Sequence, residues 1–134
     1  ILIIKVGFIM KKIITFFSLL LFSAANAAGH LSEKDREATL KCTGLYYANS
    51  MIPQGTLKLE KIVHSIAAKK FLTSYLIKEG LKEDFVNLEL NKSVDELYGK
   101  PYDEQKTKEC DKFIYKLIPD SKMEIDKLIK SGIY

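Results

Sequence analysis

A small all-α bundle of four or five helices, held by one disulfide, is the architecture this 134-residue chain predicts. Three observations point to it. Through most of residues 28–134 the apolar side chains recur at a period nearer 3.6 than 2. Glycine and proline fall between the periodic segments, at Pro53, Gly55, Gly80, Gly99, Pro101 and Pro119. The only two cysteines, Cys42 and Cys110, lie behind a segment that reads as an export signal, where a pair of thiols oxidises to a cross-link.

The elements follow in order. Ser32 can cap a first helix, with Asp35 three residues on in the capping-box position. Ala38, Cys42, Leu45, Tyr46 and Asn49 then recur at helical spacing, which puts Cys42 on the buried face, and Pro53 with Gly55 ends the segment. Thr56 is positioned to cap a second, long helix that runs to about Glu79 and stops at Gly80. Its apolar side carries Leu59, Ile62, Val63, Ile66, Ala67, Phe71 and Tyr75, opposite Lys58, Lys61, Ser65, Lys69 and Thr73.

Residues 81–98 carry a mixed signal. Val86, Leu88 and Leu90 alternate with Asn87, Glu89 and Asn91 like a strand, whereas Leu81, Phe85, Leu88, Val94, Leu97 and Tyr98 suit one helix, or two broken near Asn91–Ser93. A lone strand would have no partner for its backbone groups, so helix is expected. From Tyr102 to about Ile118, Cys110, Phe113, Ile114 and Leu117 line one face. Pro119 stops that helix, and Asp120 or Ser121 starts a last one with Met123 or Glu124, Ile125, Leu128 and Ile129 inward.

The leader fixes the expected compartment. Met10-Lys11-Lys12 precedes an apolar run over residues 13–25 and then Ala25-Asn26-Ala27. A positive start, a core of about 13 apolar residues and small residues at alternate positions describe a secretory signal peptide, too short for the ~20 residues of a membrane span. The expected organisation is residues 1–27 as upstream sequence plus a signal peptide that starts at Met10 and is cleaved after Ala27. Residues 28–134 then form a single helical domain, periplasmic or secreted from a bacterium. Cys42 and Cys110 would close a long loop, worth about 4 kcal/mol in the chain-entropy model. A redox role is disfavoured because the pair is not Cys-x-x-Cys.

Charge narrows the partners. Lys5, Lys11 and Lys12 lie in the leader, so the +4 of the whole chain falls to +1 for residues 28–134, with both signs interspersed. That is not the basic stripe of a nucleic-acid binder. No cofactor motif is present. His30 and His64 are the only histidines, neither in a His-x-x-x-His or His-Glu-x-x-His pattern, so no metal ligands are assigned. His64 is expected to pair with Glu60 one turn away. No Gly-x-Ser-x-Gly or Ser-x-x-Lys nucleophile motif occurs, and adjacent acids such as Glu83-Asp84 and Asp103-Glu104 suit first helical turns. No catalytic residue is assigned.

The most distinctive stretch is Thr43-Gly-Leu-Tyr-Tyr-Ala-Asn-Ser-Met-Ile-Pro-Gln-Gly55. Tyr46 and Tyr47 are adjacent and cannot both face one core. Tyr47, Met51, Ile52 and Gln54 are therefore the candidate interaction surface, since tyrosine and methionine are enriched at protein interfaces. The competing arrangement has Tyr46 in the core, Tyr47 packed on a neighbouring helix, and Met51 with Ile52 capping the bundle. The expected function is non-catalytic binding of a protein partner in the envelope, as an inhibitor or immunity-type protein acting on an envelope enzyme. The alternatives are a carrier of a small apolar ligand, or an enzyme whose site is not legible in sequence.

Overall fold

The computed structural model describes residues 30–132. The upstream segment, the signal peptide and the cleavage position after Ala27 lie outside the described residues. Five helices follow one another: α1 (Glu33–Ser50), α2 (Leu59–Lys78), α3 (Glu83–Leu97), α4 (Glu104–Leu117) and α5 (Ser121–Ser131). The all-α bundle with one disulfide is what the periodicity predicts. Among the described residues the only non-helical pairing is an isolated bridge between Gln54 and Leu57 in the α1–α2 loop.

α1 is the central helix, packed by α2, α3 and α4, while α5 packs on α2 and α4. Its start is set by Ser32, whose hydroxyl accepts from the Asp35 amide at 3.1 Å. Being covered on several sides, α1 buries small and polar residues: Thr39, Cys42, Thr43, Gly44, Tyr46 and Asn49. Burying hydroxyls is costly unless they are bonded. Thr39 donates to the Asp35 carbonyl and Thr43 to the Thr39 carbonyl, each at 2.7 Å. Gly44 has a different reason. A Cβ there would overlap Ser93 Oγ and stand 2.5 Å from Ser93 Cβ, so only glycine admits α3 this close.

α2 runs antiparallel to α1. The Leu31 amide donates to Glu79 at one end (3.2 Å), and the Tyr46 and His64 rings meet edge-on towards the other. At Gly80 (φ +104°) the chain turns with the Leu81 amide bonded to the Leu76 carbonyl and the Gly80 amide to that of Ile77, a glycine-dependent helix stop. α4 is antiparallel to α1, because Asn49 meets Thr107 while Cys42 is bonded to Cys110 with their Cα atoms 5.5 Å apart.

Two apolar clusters fill the bundle. Tyr46, Ala67, Ala68, Leu72, Ile114, Ile118 and Ile125 join Cys42 between α1, α2, α4 and α5. Leu76, Val86 and Leu90 form a smaller one with Leu40, Tyr47 and Leu81. Each large buried side chain contributes on the order of 1.5–3 kcal/mol.

The structure departs from expectation on the face of α2, where Ser65 is buried and Leu59 is 64% exposed, and at two helix starts, and it decides two alternatives that the sequence leaves open. α2 begins at Leu59, not after Thr56, because the Thr56 hydroxyl donates back to the Pro53 carbonyl (2.7 Å) and so serves the preceding turn. α3 is one unbroken helix through Asn91–Ser93, the Ser93 hydroxyl bonding the Glu89 carbonyl of its own helix. α4 begins at Glu104, with Asp103 accepting from the Lys106 amide at 2.9 Å, and Tyr102 precedes it. In α5, Ile125 is buried, Met123 is half exposed, and Glu124 is partly covered and pairs with Lys127 at 3.3 Å.

Candidate functional site

Two places could act on other molecules: a polar junction where α1, α2 and α4 meet, and a groove between α1 and α3. The junction is built on Asp111. Its Oδ1 accepts from the hydroxyl of Tyr46, a fully buried residue of α1, and lies 3.0 Å from His64 Nε2 on α2. His64 therefore pairs with Asp111 across helices rather than with Glu60. Helical spacing within α2 pointed to the local acid, while the actual partner comes from 47 residues away. One turn towards α4's start, Asn49 Nδ2 donates to Thr107 Oγ1 (3.1 Å), which donates to the Asp103 carbonyl (2.9 Å). At the rim, Lys61 bonds Glu104 at 3.1 Å and lies 5.2 Å over the Tyr102 ring.

The electrostatics match a structural lock. Burial pushes the Tyr46 hydroxyl far above the usual tyrosine range, and its bond to the Asp111 carboxylate pushes it further. Tyr115 is pushed up to about 12, first by burial and then by Asp111 and Asp126. Lys61 is raised by its bond to Glu104, and Glu104 is lowered by the same bond, an exposed pairing worth little in stability. A catalytic His–Asp pair needs a nucleophile or a held water, and a second acid or oxyanion donors. Among the described residues His64 meets one carboxylate, and the third member, Tyr46, is a buried neutral phenol. Chemically the arrangement ties three helices together. No group of three or more His, Cys, Asp or Glu that could hold a metal occurs among the described residues.

The candidate interaction surface is split by the structure. Tyr47 is turned towards Leu76, Val86 and Leu90 with Lys69 Nζ 4.7 Å above its ring, the arrangement in which it packs on a neighbouring helix. Ile52 is half-buried. Met51 (50% exposed) and Gln54 face outward at the bundle end.

The groove was not anticipated. It has a volume of about 460 Å³, is open to solvent, and has Leu40, Leu81 and Phe85 among its lining, with Glu33, Arg36, Glu37, Lys41 and Glu89 around them and Ser93 at one end. A carrier would enclose its apolar ligand; this space is open and edged by charge. Phe85 is 44% and Leu88 is 55% exposed. A signal existed in the sequence. The inward stripe of α3 is Val86 and Leu90, followed by the half-buried Ser93, Val94 and Leu97, and Phe85 and Leu88 lie off that stripe. Charge is also segregated here. α3 has five carboxylates, Glu83, Asp84, Glu89, Asp95 and Glu96, against one lysine, Lys92, whereas α2 has four lysines against one glutamate.

Among the described residues no helix is long and apolar enough to cross a membrane. No family model matches this chain, and comparison with curated proteins and with solved structures found no match.

Proposed function

We propose that the chain is exported, loses its leader and acts in the periplasm or outside the cell as a non-catalytic protein-binding domain, of the kind that inhibits or neutralises an envelope enzyme. The observation that carries this reading is the pair Phe85 and Leu88, large apolar side chains held in solvent beside an open groove. Exposed apolar surface edged by polar groups is the usual mark of a protein interface. α1, the other wall of the groove, is held in the bundle by Cys42–Cys110, which joins it to α4, and by Asp111, which joins α1, α2 and α4. A pre-ordered surface loses little entropy on binding. The same disulfide supports an oxidising compartment.

The test is capture of a partner by the oxidised protein from the envelope fraction of the source cells, repeated with Leu88→Lys. The reading expects a stoichiometric partner that Leu88→Lys no longer retains, at an unchanged melting temperature. Recovery of no such partner, or equal recovery by both proteins, contradicts it.

A further inference from the structure

We infer that α4 and α5 form a hinged hairpin that Cys42–Cys110 bolts shut, so that reducing this one bond frees the hairpin to open and uncover the α1–α2 face beneath it. α4 buries only Thr107 and Ile114, one of them polar, against six residues in each of α1 and α2. Its further ties to those helices are polar: Asn49–Thr107 at 3.1 Å, His64–Asp111 at 3.0 Å, Tyr46–Asp111, and Lys61–Glu104 at 3.1 Å. Bonds of this kind are exchanged for bonds to water when a helix lifts, so each holds it weakly. A hinge is present. The chain enters α4 through Tyr98, Gly99 (φ +78°), Lys100 and Pro101, all exposed. Within the hairpin, Ser121 Oγ donates to the Ile114 carbonyl at 3.2 Å, so α4 and α5 move together. α3 is seated differently. It meets α1 at the close Gly44–Ser93 approach and packs Val86 and Leu90 with Leu76 and Leu40, contacts that do not involve α4.

Cys110 lies in the middle of α4, and its bond pins the helix to Cys42 of α1. With α1, α2 and α3 folded, the bond constrains the stretch from Leu97 to Cys110, about 13 residues, and a cross-link over a loop of that size suppresses opening about a hundredfold. The closed hairpin covers Tyr46, Ala67, Ala68 and Leu72, which pack with Ile114, Ile118 and Ile125. Reduction by a dithiol breaks the Sγ–Sγ bond and delivers two electrons and two protons to the two sulfurs, while the reductant's own sulfurs close into a disulfide. The hairpin then opens at Gly99 as a unit smaller than the whole domain. In a compartment that oxidises thiols the closed form is the resting one, and a chain still awaiting oxidation shows its apolar face.

The experiment follows amide hydrogen exchange by NMR in the isotope-labelled protein, oxidised and then reduced with dithiothreitol, across a series of low urea concentrations. In the oxidised protein the core amides of α4 should exchange at the same rate and with the same urea dependence as those of α1 and α2, because the bond leaves only global unfolding. After reduction the amides of α4 and α5 should exchange at least tenfold faster than those of α1 and α2. Their urea dependence should be shallower, since that slope scales with the surface exposed and the hairpin is a fraction of the domain. A second measurement reads the same opening from the sulfur side. Cys42 is 8% exposed, and its alkylation by iodoacetamide in the reduced protein should show the same shallow urea dependence. Loss of all protection on reduction, equal rates in all five helices, or an α4 no faster than α1 and α2 overturns the inference. Alkylation of Cys42 with the steep urea dependence of global unfolding overturns it too.

Discussion

Gly44→Ala is expected to destabilise the protein although alanine is the better helix former. In α1 the exchange would by itself gain about 1 kcal/mol from helix propensity. The new methyl would stand 2.5 Å from Ser93 Cβ and overlap Ser93 Oγ. The hydroxyl can rotate away, giving up its bond to the Glu89 carbonyl, but Cβ is fixed by the α3 backbone, so the helices must separate. Overpacking of this kind costs roughly 1–3 kcal/mol, and separation would loosen Val86 and Leu90, which share a cluster with Leu40 of α1. The net expectation is a loss of about 1–2 kcal/mol, which at about 4–8 °C per kcal/mol for a domain this size is readily measured by thermal melting. The assay is a double-mutant cycle by thermal and urea denaturation with Ser93→Gly, which removes the obstructing Cβ. With glycine at position 93 the obstructing Cβ and hydroxyl are gone, so Gly44→Ala should turn from harmful to neutral or favourable in the Ser93→Gly background. A rise in melting temperature on Gly44→Ala with Ser93 intact would refute the close α1–α3 crossing.

Three further outcomes follow from the same structure. Replacing both Cys42 and Cys110 by serine should lower stability by about 4 kcal/mol, because the bond spans 68 residues of chain; chemical denaturation beside the oxidised protein checks it. Stability should fall at alkaline pH. Tyr46 and Tyr115 are raised in the fold, so their contribution is complete below the unfolded tyrosine value near 10 and is lost as pH rises. The unfolded chain then binds fewer protons than the native one, and Tyr46 alone gives a decline of about 1.4 kcal/mol per pH unit, which Tyr46→Phe should remove from the urea-unfolding profile. Ser65→Ala should raise the melting temperature, since Ser65 Oγ is buried without a hydrogen-bond partner among the described residues and such a group costs roughly 1–3 kcal/mol.

What the sequence made legible was whatever local periodicity and punctuation determine. The helical class, the stop at Gly80, the cap at Ser32 and the inward Cys42 and Cys110 follow from spacing and from backbone chemistry, while spacing leaves open whether residues 81–98 form one helix or two. Thr56 misled because a hydroxyl three residues before a helix can serve either the turn behind it or the helix ahead, and Pro53 presented the nearer carbonyl. Ser93 was compatible with a break, yet its hydroxyl bonds back within α3 while its Cβ approaches Gly44. Which acid His64 meets depends on how α4 is rotated against α2, a long-range fact absent from helical spacing. The covered face of α3 is set by a long-range fact of the same kind. Phe85 and Leu88 fit an apolar repeat as well as Val86 and Leu90 do, and only the position of α1 decides which pair is covered.

The proposed binding role places the partner on the exposed α3 surface beside the groove. Hydrogen exchange on the complex with the captured partner tests it most directly. Slowed exchange on binding should concentrate in α3 and in residues 33–41 of α1, with the Met51–Leu59 end unaltered. Protection centred on that end, or on the junction at Asp111, would contradict the claim.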